Sequence, residues 1–260
     1  MKYSRVRGTE DILDLTLQNF VIEQISKHLA TYNYSEIKTP ILEKTDLFVR
    51  SLGTETDVVT KEMYAFETSG GDKICLRPEA TASAVRAYLE NRVEQRPWKV
   101  FTHGPMFRHE RPQKGRWRQF SQINIENINS SSISHDVLFL SMLDSFFRNT
   151  LKLEEFVLKL NFLGCSDDRQ KHRESLLEYL KTVESQLCEK CIKRKETNLL
   201  RIFDCKEESC QKLYVDAPKL TDCLCNECDT EWQSLQDQLR VLSINFIHEP
   251  CLVRLLDNCN

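Results

Sequence analysis

The feature that most constrains the fold is a pair of extended segments joined by a long charged loop. Residues 99–105 and 119–126 both have the composition of strands, and the loop between them is rich in basic residues. A second pair, residues 64–66 and 73–76, flanks the turn Ser69-Gly70-Gly71-Asp72, which is typical of a hairpin. Segments with helical periodicity, such as residues 12–31, alternate irregularly with these strands. The sequence therefore predicts an α+β fold, with helices flanking a largely antiparallel sheet, and not a regular βαβ repeat.

The cysteines divide the chain into two regions. Of the 11 cysteines, Cys75 stands alone in the first part, and the other ten lie between Cys165 and Cys259. The N-terminal residues lack the apolar stretch of a secretory signal, so we expect reduced thiols or metal ligands in a cytoplasmic protein. Charged residues interrupt every apolar run near the roughly 20 residues that a membrane span needs. We therefore expect no membrane segment, and a mostly helical Cys-rich insertion after residue 165.

The loop between the two longer strands concentrates positive charge. Residues 99–120, which include this loop, contain six basic residues and one acidic residue, a local charge of +5 in a chain whose net charge is −3. Arginine guanidinium groups match phosphate oxygens, and the interleaved Phe107, Trp117 and Phe120 are able to stack on a base. A nucleotide phosphate site is one interpretation of this loop. A solvated hairpin loop is the other, because charge runs are commonly solvated faces.

A second polar motif, Arg77-Pro78-Glu79-Ala80-Thr81, stands where a strand gives way to a helix. A carboxylate and a hydroxyl at such a position can project into a cleft beside the strand ends. The alternative is a helix start in which Glu79 or Thr81 only satisfies backbone N–H groups. Taken alone, the motif favours this capping alternative.

Two Cys-x-x-Cys pairs have the spacing of a four-thiolate zinc site. They are Cys188 with Cys191 and Cys225 with Cys228. Two such pairs can surround one ion tetrahedrally, and the metal would stabilise an insertion with little apolar core of its own. These four cysteines are therefore the candidate ligands of a structural Zn²⁺. Reduced thiols packed in a helical insertion are the alternative interpretation.

The two polar motifs, taken in this order, resemble the catalytic domain of class II aminoacyl-tRNA synthetases, specifically the histidyl-tRNA synthetase family. The resemblance rests on residues 77–81 followed by residues 104–120, which read Gly-Pro-Met-Phe-Arg-His-Glu-Arg-Pro-Gln-Lys-Gly-Arg-Trp-Arg-Gln-Phe. The family's opening and its dimer-forming first motif are similar to residues 7–12 and to residues 40–43 with 52–64. The likeness continues at residues 198–206 and extends through essentially the whole chain.

The resemblance implies three segments. Residues 1–165 would form the class II catalytic core with its first two motifs, residues 166–243 the Cys-rich insertion, and residues 244–260 a return to the core. The family's histidine loop reads Leu-Val-Arg-Gly-Leu-Asp-Tyr-Tyr, whereas residues 252–259 read Leu-Val-Arg-Leu-Leu-Asp-Asn-Cys. On this departure we expect a chain truncated within the catalytic domain, without the anticodon-binding domain, that binds histidine weakly and aminoacylates poorly.

The activity implied by the resemblance is ATP-dependent activation of L-histidine and its transfer to tRNA(His) by a homodimer, with Mg²⁺ accompanying ATP. The implied catalytic residues are Arg108 and Arg254. The implied histidine-binding residues are Glu79, Thr81, Gln122 and Glu126. The implied ATP-binding residues are Arg108, Glu110, Arg116 and Phe120.

Two other functions remain as alternatives at the level of sequence. One is a non-catalytic, synthetase-like regulatory subunit of ATP phosphoribosyltransferase in histidine biosynthesis, which also lacks an anticodon domain. Its weakness is that the arginine-rich loop is complete here, and a non-catalytic relative need not keep it. The other is a zinc-dependent nucleic-acid-binding module, which would explain only the region after residue 165.

Overall fold

The computed structural model of the chain describes residues 3–54 and 56–252. Internal contacts divide it into an N-terminal unit that ends at Ser131 and a C-terminal unit that begins at Ser132. The described part mixes helices with short sheets, as the predicted α+β class requires. The proposed boundaries at residues 165 and 243 remain predictions. None of the described helices is long and apolar enough to cross a membrane.

Within residues 3–54 and 56–131, the N-terminal unit contains three α-helices, a π-helical turn at Val58–Glu62 and six strands. In chain order they are α1 Thr16–Thr31, β1 Ser35–Glu36, β2 Leu42–Lys44, α2 Thr45–Leu52, β3 Ala65–Glu67, β4 Lys73–Leu76, α3 Thr81–Glu90, β5 Trp98–Phe107 and β6 Gln119–Ile128. The helix predicted from residue 12 begins later, at Thr16, whose N–H donates a hydrogen bond to the Asp14 carboxylate at 2.8 Å. Its Ile25 and Leu29 are buried.

The long hairpin predicted from the sequence is the main feature of this unit. Strands β5 and β6 pair antiparallel over ten residues each, in a register that places Phe107 opposite Gln119 and Trp98 opposite Ile128. Strand β1 adds to β5 in parallel. A second sheet has the order β2-β4-β3, with both pairings antiparallel, and contains the predicted hairpin of β3 and β4. A small core of Phe48, Leu52, Cys75 and Ala82 packs α2 and α3 against this sheet.

The C-terminal unit is mostly helical, as predicted for the Cys-rich region. Its elements are α4 Ile133–Ser145, β7 Leu158–Leu160, α5 Ser166–Thr182, α6 Glu189–Thr197, α7 Glu208–Val215, α8 Asn226–Val241 and β8 Phe246–His248. Strands β7 and β8 pair in parallel. One buried cluster joins α5 to α6 and α7, and it includes Leu176, Leu180 and Ile202. Another packs α4 against α8 through Val137, Trp232 and Leu239.

Candidate functional site

One face of β6 carries a row of polar side chains. Residues two apart along a strand project to the same side, so Phe120, Gln122, Asn124 and Glu126 share this face. All four are partly buried. At about 3.4 Å per residue, the row spans about 20 Å from Phe120 to Glu126. The face is therefore long enough for an extended ligand with different groups at its two ends.

The carboxylate end of this face is joined to the start of α3. Thr81 Oγ1 donates a hydrogen bond to Glu126 Oε1 at 2.7 Å. Burial raises the pKa of the Glu126 carboxyl; the Thr81 hydrogen bond opposes this, and the negative charge of Glu79 adds to it. Thr81, Glu79 and Glu126 therefore form a half-buried acidic group, which suits a cationic or N–H-bearing ligand.

Glu79 also caps α3. It is 7% exposed, and its Oε2 and Oε1 accept hydrogen bonds from the backbone N–H groups of Thr81 at 2.5 Å and Ala82 at 2.9 Å. The capping interpretation of this motif is thus realised in the structure. The helix N-terminus also stabilises the negative charge of the carboxylate. The cap holds Glu79 in place beside Thr81, so the capping role and a ligand-binding role are compatible.

The middle of the face has polar oxygens without partners. Among the described residues, the buried Gln122 Oε1 and Asn124 Oδ1 accept no hydrogen bond. A buried acceptor left unpaired costs about 1–3 kcal/mol. Such atoms are therefore suited to accept hydrogen bonds from a ligand that enters the face.

The opposite end of the face is basic. Arg108 Nε donates to the Pro78 carbonyl oxygen at 2.9 Å, and the Arg108 guanidinium carbon lies 5.3 Å from the centre of the Phe120 ring. Arg108 forms no ion pair within the described part of the chain. The Phe120 ring and the backbone thus hold its charge in position, and the guanidinium keeps its positive charge available for an anion.

Acidic groups lie beside this basic end. Arg116 Nη1 pairs with Glu110 Oε2 at 3.2 Å, and Glu110 is mostly buried while Arg116 is half exposed. Burial raises the pKa of the Glu62 carboxyl, and the charge of Glu110 raises it further. The Arg118 N–H donates to the Gly8 carbonyl oxygen at 2.7 Å. A side chain at Gly8 would stand 2.9 Å from side-chain carbons of Arg118 and Pro112, so this glycine lets residues 6–9 approach the loop. These contacts attach the base of the loop to residues 6–9, whereas residues 113–117 at its tip are exposed.

Sequence reasoning did not select Arg77 as a site residue, although it stands in the motif. Arg77 is 3% exposed; its Nε donates to the Pro105 carbonyl oxygen at 3.1 Å, and its Nη1 donates to Thr39 O at 3.1 Å and Thr39 Oγ1 at 3.0 Å. A side chain at Gly104 would stand 2.9 Å from Arg77 Nη2. Arg77 thus joins β5 to the segment before β2. The sequence signal for this role was a charged residue directly after the predicted strand 73–76.

A cavity of about 430 Å³ lies between α1 and β6 in the N-terminal unit. Its wall includes Leu17, Val21 and Ile22 of α1 and Ile123 of β6. Gln122 is the one member of the polar row among its lining residues in the described part of the chain. The cavity is mostly apolar, and Arg108, Thr81 and Glu126 do not line it. The polar face is therefore the better candidate site.

The predicted zinc ligands do not converge on one position. Cys188 and Cys191 cluster with Cys205 and Cys210, whereas Cys225 and Cys228 cluster with Cys165 and Asp168. The predicted single site of Cys188, Cys191, Cys225 and Cys228 is therefore wrong as a ligand set. Each Cys-x-x-Cys pair stands at the start of a different helix, α6 or α8, and finds its partners locally. The spacing within a pair did not indicate which cysteines would join it. The predicted catalytic residue Arg254 lies outside the described residues.

The family comparison agrees with the motifs of this site. The family model described as histidyl-tRNA synthetase matches residues 13–204. Histidine–tRNA ligases are similar over nearly the whole chain: the one from Thermosipho melanesiensis is 42% identical over 99% of this chain, and the one from Aquifex aeolicus is 41% identical over 99%. The chain spans 62% and 64% of these relatives' own lengths.

Comparison with solved structures also relates the fold of this chain to histidyl-tRNA synthetases. The apo histidyl-tRNA synthetase of S. aureus has a TM-score of 0.76 and is 32% identical, over 98% of this chain and 59% of its own. A protein from Bacillus halodurans described as an ATP phosphoribosyltransferase regulatory subunit/histidyl-tRNA synthetase has a TM-score of 0.61 over 94% of this chain and 66% of its own. Its 17% identity is evidence for the fold alone. On the family match and the ligase relatives, the chain belongs to the histidyl-tRNA synthetase family.

Proposed function

We propose that this chain carries the histidine-activating site of a histidine–tRNA ligase, which forms histidyl-adenylate from L-histidine and ATP and passes the histidyl group to tRNA(His). One observation carries the proposal. The polar face of β6 is basic at one end, where the Arg108 guanidinium lies over the Phe120 ring. It is acidic at the other end, where Thr81 contacts Glu126. Histidyl-adenylate has the same order of groups: a nucleotide and phosphate at one end, and an ammonium with an imidazole at the other.

The chemistry at the phosphate end needs charge and orientation more than proton transfer. The carboxylate of histidine is ionised at pH 7 and attacks the α-phosphorus of ATP without a general base. Negative charge grows on the phosphate oxygens as the bond to the carboxylate forms and pyrophosphate departs. Arg108 is assigned to the α-phosphate, where its fixed guanidinium stabilises this charge. Arg254 is assigned a similar role by its place in the family motif.

The remaining loop residues are assigned to the nucleotide. Arg116 and Glu110 would hold the nucleotide end of the site, and the Phe120 ring would stack on adenine. The Glu110–Arg116 pair supports this because it fixes the loop with one partner half exposed, where a phosphate can reach it. Mg²⁺ arrives with ATP as part of the substrate and neutralises charge on its phosphates. No residue is assigned to hold it.

The acidic end is assigned to the amino acid. Glu79, Thr81 and Gln122 would receive the α-ammonium group, and Glu126 would accept a hydrogen bond from the imidazole N–H. The unpaired Gln122 Oε1 supports this, since the ammonium group would supply its missing donor. A site whose buried acceptors need N–H donors also rejects analogues that lack those groups.

Transfer to tRNA, homodimer formation and a cytoplasmic location are parts of the same proposal. These three parts rest on membership in the family. The chain covers less than two thirds of the length of its ligase relatives, so their activity as whole proteins is proposed here and not shown. The Cys-rich insertion, residues 166–243, would contact the acceptor stem of tRNA. The alternative of a regulatory subunit has weaker support, because the relatives at 41–43% identity are histidine–tRNA ligases. The alternative of a zinc-dependent nucleic-acid-binding module concerns only the region after residue 165, so it gives the polar face of β6 no role.

A thermal-shift experiment tests the proposal. A non-hydrolysable histidyl-adenylate analogue should raise the melting temperature of the purified chain in a saturable manner, because a ligand that binds only the folded state stabilises it. Adenosine alone and histidinol alone are the controls, and each should give a smaller shift at equal concentration. An analogue that leaves the melting temperature unchanged up to millimolar concentration would contradict the proposal.

A further inference from the structure

Four cysteine sulfur atoms meet in the C-terminal unit. The Sγ atoms of Cys188, Cys191, Cys205 and Cys210 all lie within 4.8 Å of one another, and those of Cys188 and Cys205 are 3.8 Å apart. A disulfide would require about 2.05 Å between two sulfur atoms. Four thiolates arranged tetrahedrally at about 2.3 Å from a zinc ion stand about 3.8 Å from one another. The spacing therefore matches a shared metal ion better than a disulfide.

We propose that Cys188, Cys191, Cys205 and Cys210 bind one structural Zn²⁺ through four thiolates. The ligand set differs from the one that the Cys-x-x-Cys spacing suggested, and the proposal is independent of the function proposed for β6.

Local structure brings the four sulfur atoms together from three segments. Cys188 precedes α6 and Cys191 lies in its first turn, with the Cys191 N–H donating to the Cys188 carbonyl oxygen at 2.9 Å. Cys205 follows the helical turn Leu199–Asp204, and Cys210 lies in α7. The chain thus returns twice to the start of α6. Cross-linking three short elements is the usual effect of a closed structural zinc site.

Polar groups around the cluster suit thiolates. The Cys188 N–H donates to Cys210 Sγ at 3.3 Å, an interaction that stabilises negative charge on sulfur. The phenol of Tyr214 is 3% exposed and lies close enough to Cys191 to interact with it. Its hydroxyl faces the Cys191 side chain and has no other hydrogen-bond partner among the described residues. A zinc-bound thiolate at Cys191 would be a charged acceptor for this hydroxyl, and contacts of this kind to the ligands of a metal tune its affinity.

Burial of the cluster is consistent with a closed site. Cys191, Cys205 and Cys210 are buried, whereas Cys188 is partly exposed, so a metal ion can reach the cluster from its side. Reduced thiols in an apolar core would explain the burial, because three of these cysteines pack with Leu180 and other apolar side chains. That alternative leaves the convergence of four sulfur atoms unexplained.

The second cysteine cluster has a structural explanation without a metal. Asp168, which is fully buried, accepts hydrogen bonds from the backbone N–H groups of Cys165 at 3.2 Å and Cys225 at 2.8 Å. Its two carboxylate oxygens thus join the starts of α5 and α8. We therefore assign the zinc ion to the Cys188 cluster.

Metal analysis of the full chain tests the proposal. The chain is expressed with added ZnSO₄, purified without chelator and compared with five variants. The proposal expects Cys188→Ser and Cys205→Ser each to lose one equivalent of zinc relative to the wild type. Cys223→Ser, outside both clusters, and Cys225→Ser, in the second cluster, should keep it. Tyr214→Phe should weaken zinc affinity by about tenfold or more.

A spectroscopic measurement on the wild-type chain tests the same proposal without depending on whether the variants fold. Co²⁺ added to the zinc-depleted wild-type chain should give the intense visible bands of tetrahedral cobalt and the near-ultraviolet band of thiolate-to-cobalt charge transfer, and Zn²⁺ should remove both. Either of two results would overturn the proposal. One is less than a tenth of an equivalent of zinc in the wild type together with no cobalt–thiolate bands. The other is a zinc content that Cys188→Ser leaves unchanged in a folded variant.

Discussion

Thr81 and Glu126 are joined by a hydrogen bond of 2.7 Å between the start of α3 and the C-terminal part of β6. This contact fixes the acidic end of the polar face, because Glu79 caps the same helix and so stands beside Thr81. The face then continues along β6 to Phe120, and the Arg108 guanidinium lies over the Phe120 ring. Two motifs that lie more than twenty residues apart in sequence thus contribute opposite ends of one surface.

Arg108 should matter for binding of the phosphate. Arg108→Ala is expected to weaken the affinity for ATP by roughly 10- to 100-fold, since a hydrogen bond to a charged group contributes about 1.5–3 kcal/mol. Arg111→Ala is the matched control, because Arg111 is an exposed residue of the same loop and should change the affinity little. Fluorescence titration with a labelled ATP analogue measures both. Equal losses in the two variants would mean that the loop acts only through its total charge.

Glu126 should make stability depend on pH. Its pKa is raised mainly by burial, so the folded protein holds the proton more tightly than the unfolded chain does. Its contribution to stability is therefore fully present below the usual carboxyl pKa and is lost as the pH rises through the raised value. Glu126→Gln removes this loss, so the variant should gain stability relative to the wild type as the pH rises from 4 to 7.

Urea unfolding at the two pH values measures this effect. Glu67→Gln on the exposed strand β3 is the control, and its stability difference from the wild type should stay nearly constant with pH. A difference between Glu126→Gln and the wild type that is also constant with pH would show that burial of Glu126 does not shift its pKa.

Arg77 should be required for stability of the N-terminal unit. Arg77→Met retains much of the side-chain volume but leaves the carbonyl oxygens of Pro105 and Thr39 without this donor. Each buried acceptor left unpaired costs about 1–3 kcal/mol, so the free energy of unfolding should fall by roughly 2–5 kcal/mol. Arg50→Met, at an exposed position of α2, should change it by less than about 0.5 kcal/mol. Urea unfolding at neutral pH compares the two variants, and similar stabilities would contradict the role of Arg77.

Much of this structure was predictable because the periodicity of apolar residues and the short polar motifs can be read from neighbouring residues in the sequence. The β5–β6 hairpin and the helical character of the Cys-rich region follow from such patterns. The pairing of the cysteines was not predictable in this way. Whether Cys191 meets Cys205 or Cys225 depends on how helices pack, and the packing depends on contacts that are distant in sequence. The hydrogen bonds by which Arg77 joins Thr39 to Pro105 were not predicted for the same reason, since these two residues are nearly seventy positions apart in the sequence.

The most direct test of the account is the selectivity of the β6 face for histidyl-adenylate. Isothermal titration calorimetry would compare non-hydrolysable histidyl- and phenylalanyl-adenylate analogues on the wild-type chain and on Glu126→Gln. We expect the wild type to bind the histidyl analogue about 100-fold more tightly or better, because phenylalanine leaves the Glu126 acceptor unpaired, and we expect Glu126→Gln to lose most of this preference. Equal affinities of the wild type for the two analogues, or a preference that Glu126→Gln leaves intact, would contradict the assignment of this face to histidine.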